Sequence, residues 1–549
     1  MLYKTLSEFY EKLEATTKKL EKRDILSDLY KQLDKTDLEM VVLLSMGIVF
    51  PGKEAELGIA EKLMERIIQK TYGIDPKSYN KIFRKTGDAG LTAEFFAEQR
   101  KQITLAKKNL TTDKVFENLK KLPYETGAKS QDRKISLISE LLGQASGKEA
   151  KYMVRTVLGE MRFGVAEGIV RDAIAKAFDA EPKQVEEAYN ILTNFGRVAL
   201  MARENKLSKI KIELFNPIRV MLAENAESLE QALTKIPEPI CEWKYDGFRV
   251  AVHKDGDKVK IFSRRMDDVT NQFPDIAELS RNCLPDKCIV EGEVLAVDKN
   301  NNPQPFQMLS RRIQRKYDIE EMVRKIQVQV NLFDILFLND ENYMNKKLRE
   351  RRKVLEDKVK KIPNRFQLTN AIMSNDIKKV REFYNQSLKA GQEGLMIKNL
   401  DGEYKPGKRV DSWYKVKPTL ETLELVITQA QWGEGKRAKW LSSFVLSCRD
   451  PETGDFLQIG KMGTGLTDEQ FEELTKKLKK LIISEERGML IIKPTIVVEV
   501  DYQEIQRSPK YKSGFALRFP RLKKIRYDRS AVDIDNIARV EKIYKQQRK

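Results

Sequence analysis

Apolar positions recur at helical spacing through roughly the first 210 residues, and the pattern then turns to strands. The clearest helical stretch covers 151–178. There Val154, Val157, Leu158 and Met161 fall on one face, and Ile169, Val170, Ala173, Ile174, Ala177 and Phe178 repeat the spacing. Between them, Arg162-Phe163-Gly164-Val165-Ala166-Glu167-Gly168 reads as a glycine-bounded turn. It is either an ordinary helix–helix connection or a helix start whose free N–H groups meet a phosphate. Near Phe215-Asn216-Pro217 the character changes. Strand-like runs follow at 249–253, 258–262, 289–297 and 328–337, with a helical stretch at 347–359. After Lys417-Pro418, short strands at 423–427 and 496–500 alternate with glycine-rich turns at 432–435 and 461–465. This last region has the pattern of a small β-barrel with one or two helices. No internal repeat or low-complexity tract interrupts the chain.

Length and composition narrow the class. A chain of 549 residues allows about two to four domains. Lys and Arg number 101 against 82 Asp and Glu, a net charge of +19 with a pI near 9.3. That imbalance points to a polyanionic partner, nucleic acid before an anionic membrane surface. No run approaches the ~18 apolar residues of a membrane span, so no membrane partner is expected. Met1-Leu2-Tyr3-Lys4 opens no signal-peptide core, and a cytoplasmic, nucleoid-associated protein is the expectation. Cys241, Cys283, Cys288 and Cys448 lack Cys-x-x-Cys spacing, and His253 is the single histidine. Zinc clusters and histidine-based hydrolysis are thereby set aside. Lysine, carboxylates and a metal ion remain as chemistry.

Lysine chemistry has an obvious place in Glu242-Trp243-Lys244-Tyr245-Asp246-Gly247. If the run is extended, Glu242, Lys244 and Asp246 share one face, with Trp243 and Tyr245 on the other. A free lysine has a pKa near ~10.4 and attacks only after losing its proton. The two carboxylates alone push that value up, so a nucleophilic Lys244 needs cations from elsewhere in the fold. Without them, the run is a surface ion-pair ladder.

Further segments follow in order: Ser263-Arg264-Arg265, Glu291-Gly292-Glu293, Leu332-Phe333-Asp334, Glu393-Gly394-Leu395-Met396-Ile397-Lys398 and Trp413-Tyr414-Lys415-Val416-Lys417-Pro418. Arg518-Phe519-Pro520-Arg521 and Arg526-Tyr527-Asp528-Arg529 close the series. With Lys-x-Asp-Gly at their head, these segments resemble the covalent nucleotidyltransferases. Over essentially the whole chain they resemble ATP-dependent DNA ligases of the archaeal replicative type. The resemblance implies an all-α DNA-binding domain at 1–212, an α+β nucleotidyltransferase (adenylation) domain at 213–418 and an OB-fold β-barrel at 419–549. It implies that Lys244 takes AMP from ATP, passes it to the 5′-phosphate of nicked double-stranded DNA, and lets the 3′-hydroxyl seal the strand. Replication, repair and recombination are the implied settings.

By the same resemblance, Glu242 sits at the adenine, Phe333 stacks on the base, and Arg249, Arg264, Glu293, Arg409, Lys415 and Lys417 line the nucleotide. Glu293 and Glu393 are the implied ligands of Mg2+ or Mn2+, as hard carboxylate oxygens suit such ions. Arg526, Asp528 and Arg529 are expected to orient pyrophosphate, although the family usually has Lys where Arg529 stands. The 162–168 turn becomes a phosphate grip. A sliding clamp is a common partner of the family, and Gln102-Ile103-Thr104-Leu105-Ala106-Lys107 occupies the corresponding place without the aromatic pair. The expected state is a monomer. RNA ligases and capping guanylyltransferases share the lysine motif but not the long helical region. A non-catalytic scaffold would be free to lose Lys244, Glu293, Glu393, Lys415 and Lys417, and a NAD-dependent ligase would need zinc-binding cysteines.

Overall fold

Periodic apolar positions and well-placed caps make the N-terminal region helical from Tyr3–Glu14 to Phe195–Arg203. Asp34, Asp75, Asp88, Thr111 and Asn194 each precede a helix and accept from its first-turn N–H groups. The buried faces join one core, with Leu6, Leu26, Val41, Ile67, Val154, Val170 and Val198 among its members. The structure is a computed structural model and describes all residues except 52–54, 100–108, 128, 316–317, 419–420, 434–436, 438, 487 and 548–549.

Helix Gly147–Leu158 ends where Gly159 turns left-handed, at φ 71°. Met161 therefore leaves the helical face its spacing suggests. Its side chain packs so closely on Gly47 that an added Cβ there would lie 2.7 Å from Cγ of Met161. The next helix is Glu167–Ala177. In the turn between them Arg162 has φ 59° and Gly164 φ 66°. Phe163 is buried with its ring 5.2 Å from that of Tyr10, and Lys22 Nζ donates to its carbonyl.

Eleven strands follow: β1 Leu222–Asn225, β2 Pro239–Lys244, β3 Phe248–Asp255, β4 Lys258–Ser263, β5 Lys287–Val297, β6 Gln327–Leu338, β7 Glu341–Asn342, β8 Phe366–Leu368, β9 Ala371–Met373, β10 Gly394–Asn399 and β11 Arg409–Val416. They form two sheets, in the orders β1-β11-β10-β2-β9 and β4-β3-β5-β6-β7, with β8 beside β6. The strand-like runs at 289–297 and 328–337 lie within β5 and β6, and the helical stretch at 347–359 is Leu348–Lys358.

The C-terminal strands are β12 Leu423–Trp432, β13 Leu441–Arg449, β14 Phe456–Met462, β15 Ile482–Glu486, β16 Met489–Ile492, β17 Val497–Asp501, β18 Glu504–Arg507, β19 Phe515–Arg518 and β20 Arg521–Arg526. Seven of them make one sheet in which β12 pairs with β13, β16 and β17, and β17 with β20. Beyond β14, the Thr464 carbonyl accepts from the Leu522 N–H at 3.1 Å, so the sheet curls towards β20. Phe444, Leu446 and Val498 share its core with Phe471, Leu474, Val540 and Ile543 of two helices.

The chain folds as two compact units, Met1–Glu382 with Leu395–Val416, and Phe383–Gly394 with Lys417–Lys549. Among the described residues, no helix is long and apolar enough to cross a membrane.

Candidate active site

In the first unit the two sheets meet through Ile289, Phe333, Val410 and Trp413, which share one buried cluster. Val250, Val252, Val290, Val294, Val330 and Leu332 turn the other way into a separate apolar core. Alternation leaves Arg249 on β3, Glu291 and Glu293 on β5 and Phe333 on β6 facing the second sheet. That sheet supplies Glu242 and Lys244 from β2, Lys398 from β10, and Trp413 and Lys415 from β11.

Lys244 is the last residue of β2, so Asp246 lies in the bend beyond it rather than on the strand. Trp243 and Tyr245 pack with Leu295 and Val297, and the Tyr245 hydroxyl accepts from the Asn370 N–H at 3.1 Å. The bend ends on Gly247, where a Cβ would lie 2.4 Å from the Val294 carbonyl oxygen and 2.8 Å from Cγ of Glu293. Glycine thus lets the Lys244 segment close onto β5 at Glu293. Gly247→Ala is expected to reduce covalent labelling by ATP about 100-fold through displacement of the segment, as read by label per mole of folded protein. Unchanged labelling would detach the bend from the chemistry.

Charged groups enclosed between the sheets are paired. Arg249 donates from Nη2 to Glu291 at 2.8 Å and from Nη1 to the Met221 carbonyl at 2.8 Å. Its guanidinium lies 5.2 Å from the Phe333 ring centre. Glu242 is 2% exposed and holds Lys398 Nζ at 2.5 Å and Arg352 Nη1 at 3.2 Å. Lys398 also sits 4.5 Å from the Phe333 ring centre and 4.3 Å from that of Trp413. Burial pushes the Lys398 ammonium below its ordinary value, against the pull of Glu242.

Cations also gather around Glu293. Burial, and then the like charge of Arg249, push the Arg264 guanidinium down, with Arg409 adding to the effect and Glu293 opposing it. Arg264 therefore lies in the field of the other three. Arg409 donates to the Ala223 carbonyl at 3.0 Å. Lys415 pairs in register with Met396 on one side and Asn225 on the other.

In the second unit, Glu393 and Lys417 form an ion pair at 2.5 Å. Arg526 holds Asp528 by two hydrogen bonds, at 2.9 and 2.8 Å, and also pairs with Glu424. The Arg526 guanidinium keeps the Asp528 carboxyl well below the usual carboxylate range. Arg529 Nε is 3.4 Å from the same Glu424. Among the described residues, no three His, Cys, Asp or Glu side chains gather into a metal cage. The donors fit a divalent ion that takes one or two carboxylates and fills the rest of its shell with phosphate oxygens and water, as Mg2+ does. The Gln102–Lys107 stretch lies outside the described residues.

Local pattern did not single out Arg352, Lys398, Glu291, Tyr404 or Trp413 as site residues. Their signal is burial: a lysine and an arginine that are 2% and 5% exposed require carboxylate partners. His253 is structural. It is fully buried, and its Nδ1 accepts from the Phe215 N–H at 3.1 Å. Burial pushes its pKa down to about 3. Neutral when folded and protonated when unfolded, it contributes stability that is complete above ~6.5. That contribution is lost as pH falls towards about 3. As the single histidine it can be followed by NMR, and its ring should stay neutral from pH about 8 to about 5. A titration midpoint near ~6.5 would show a solvated ring instead.

Family models match three stretches of the chain. Residues 220–417 match the family model described as ATP dependent DNA ligase domain. Residues 2–175 match DNA ligase N terminus, and 437–529 match ATP dependent DNA ligase C terminal region. The chain is 44% identical to a DNA ligase of Nanoarchaeum equitans over 100% of this chain and 99% of that protein. It is 45% identical to one of Archaeoglobus fulgidus over 100% and 99%, and 44% identical to one of Thermococcus fumicolans over 99% and 98%. A solved structure designated Pmar-Lig_PreS3 shares the fold at 20% identity and a TM-score of 0.59, covering 95% of this chain and 99% of that one. Matched along its whole length to such relatives, the chain belongs to the ATP-dependent DNA ligases.

Proposed function

We propose that Lys244 is the residue that carries AMP, and that nicked double-stranded DNA is the substrate. Its Nζ attacks the α-phosphorus of ATP, forming a P–N bond as the bond to pyrophosphate breaks. An oxygen of the 5′-phosphate then attacks the same phosphorus and displaces the lysine, giving adenylated DNA. Last, the 3′-hydroxyl attacks the 5′-phosphorus, closing the strand and releasing AMP. The observation that carries this reading is the close seat of Gly247 on β5, which brings the Lys244 segment against Glu293. Arg264, in the field of Arg249 and Arg409 there, belongs to a set of cations of the kind a nucleophilic lysine needs.

Within this reading Glu242 receives the base and Phe333 offers a flat face to it. Arg249, Arg264, Arg409, Lys415 and Lys417 hold ribose and phosphate oxygens. Glu293 and Glu393 hold Mg2+ or Mn2+, which neutralises phosphate charge when bound. Arg526, Asp528 and Arg529 orient pyrophosphate once Arg526 and Arg529 exchange Glu424 for the phosphates. The C-terminal sheet is read as an OB-type barrel closed at Thr464 and Leu522, and the domains as 1–212, 213–418 and 419–549. The 162–168 turn grips DNA phosphates, and the enzyme acts as a monomer.

Incubation with α-labelled ATP, followed by a chase with nicked duplex, tests the scheme. A labelled protein band that loses its label to the nick and yields sealed DNA is the expected result. Label that moves only to single-stranded RNA would overturn the substrate.

A further inference from the structure

Arg352 stands on the helix Leu348–Lys358, outside every segment assigned to the reaction, yet it is buried against the strand that carries the nucleophile. Each of its guanidinium nitrogens is engaged. Nη1 donates to Glu242 Oε1 at 3.2 Å and to Thr369 Oγ1 at 3.0 Å. Nη2 donates to the Thr369 carbonyl at 3.2 Å, and Nε to Glu356 at 2.6 Å. Thr369 leads into β9, which pairs with β2 through Glu242 and Ala371. Arg352 therefore fastens the Glu242 carboxylate to the neighbouring strand. On its other oxygen, Glu242 meets Lys398, which lies over the Phe333 ring.

A carboxylate oxygen accepts more than one hydrogen bond, so each keeps capacity for a ligand donor. Arg352 and Lys398, one on each oxygen, fix the carboxylate in place as an acceptor. Such an acceptor, fixed in a dry site, favours a base edge that presents an amino group. It opposes one that presents a carbonyl, because two acceptors would then be left facing each other.

We propose that Arg352 is a positioning residue for nucleotide selection: it fixes Glu242 as an acceptor that admits a 6-aminopurine and rejects a 6-oxopurine. The inference rests on the reading that Glu242 meets the base.

The test measures covalent labelling of the full chain with α-labelled ATP and α-labelled GTP, over a range of concentrations, for four proteins. These are the parent, Glu242→Gln, Arg352→Met and Arg352→Lys, each checked by thermal melting. Arg352→Met is expected to raise KM for ATP and lower the ATP-over-GTP preference by about tenfold or more. Arg352→Lys, which keeps a cation but loses the fork, should fall between Arg352→Met and the parent. It also serves as the test if the methionine variant does not fold. Glu242→Gln should lower the preference as well. A preference unchanged in both Arg352 variants, but lowered in Glu242→Gln, would overturn the role of Arg352 alone. Equal loss of label from both nucleotides in folded Arg352 variants would do the same, since a purely structural role does not choose between bases. A preference unchanged in Glu242→Gln would overturn the base contact itself, and the inference with it.

Discussion

Lys244→Ala is expected to remove covalent labelling by ATP, by more than about a thousandfold, while binding to nicked duplex survives. The two outcomes separate because they rest on different physics. Labelling needs an amine at one point in space, and alanine has none. Water cannot replace it, since the product is a bond to the chain. DNA binding draws on the excess of Lys and Arg over Asp and Glu, 101 against 82, and it scales with the number of phosphates neutralised. Lys244→Arg should fail equally. Its guanidinium keeps the charge but stays protonated at every working pH, so it offers no lone pair. The comparison removes charge loss as an explanation. Salt-dependent binding should have nearly the parental slope in both variants, because at most one cation among many is altered.

The second large effect is on stability. Arg351 and Asp334 are both fully buried and joined by two hydrogen bonds, at 2.7 and 3.1 Å. Arg351 Nη1 further donates to the carbonyls of Lys346, at 2.6 Å, and Gly402, at 3.2 Å. Asp334 belongs to β6 beside Phe333, and Arg351 to the helix that carries Arg352. The pair therefore anchors that helix to the sheet behind the site. Asp334→Ala leaves an arginine buried without its counter-charge, which costs about 3–5 kcal/mol. Arg351→Met exposes the converse problem with similar magnitude. Replacing both together by apolar residues should cost less than either alone, since no unpaired charge is left. Denaturant unfolding of the three variants measures this, and single variants within about 1 kcal/mol of the parent would show the pair to be solvated.

Much of the frame was legible because it is local. The strand-like runs at 249–253 and 289–297 sit inside β3 and β5, and the Phe215-Asn216-Pro217 transition falls between the last N-terminal helix and β1. Met161 departs from the helical spacing because one left-handed glycine, Gly159, ends a helix that the apolar pattern would continue. Asp246 would share a face with Lys244 only on an extended run, and β2 stops at Lys244. The site was legible only in part. Lys244 and Glu293 belong to short motifs whose order carries information. Arg352 does not, because its partner Glu242 lies 110 residues away and nothing local marks the pairing. Arg526 meets Asp528 two residues on, but its pairing with Glu424 depends on how β12 and β20 flank β17. Partners brought together by sheet topology leave no periodic trace in the chain.

The central claim is that AMP is carried by one particular lysine among many basic residues. Digestion of the ATP-treated protein, followed by mass spectrometry of the adenylated peptides, reads this directly. The account predicts a single modified peptide containing Glu242-Trp243-Lys244-Tyr245-Asp246-Gly247, with the phosphoramidate on Lys244 and sensitive to acid. AMP found on Lys398, Lys415 or Lys417 instead, with Lys244 unmodified, would contradict it.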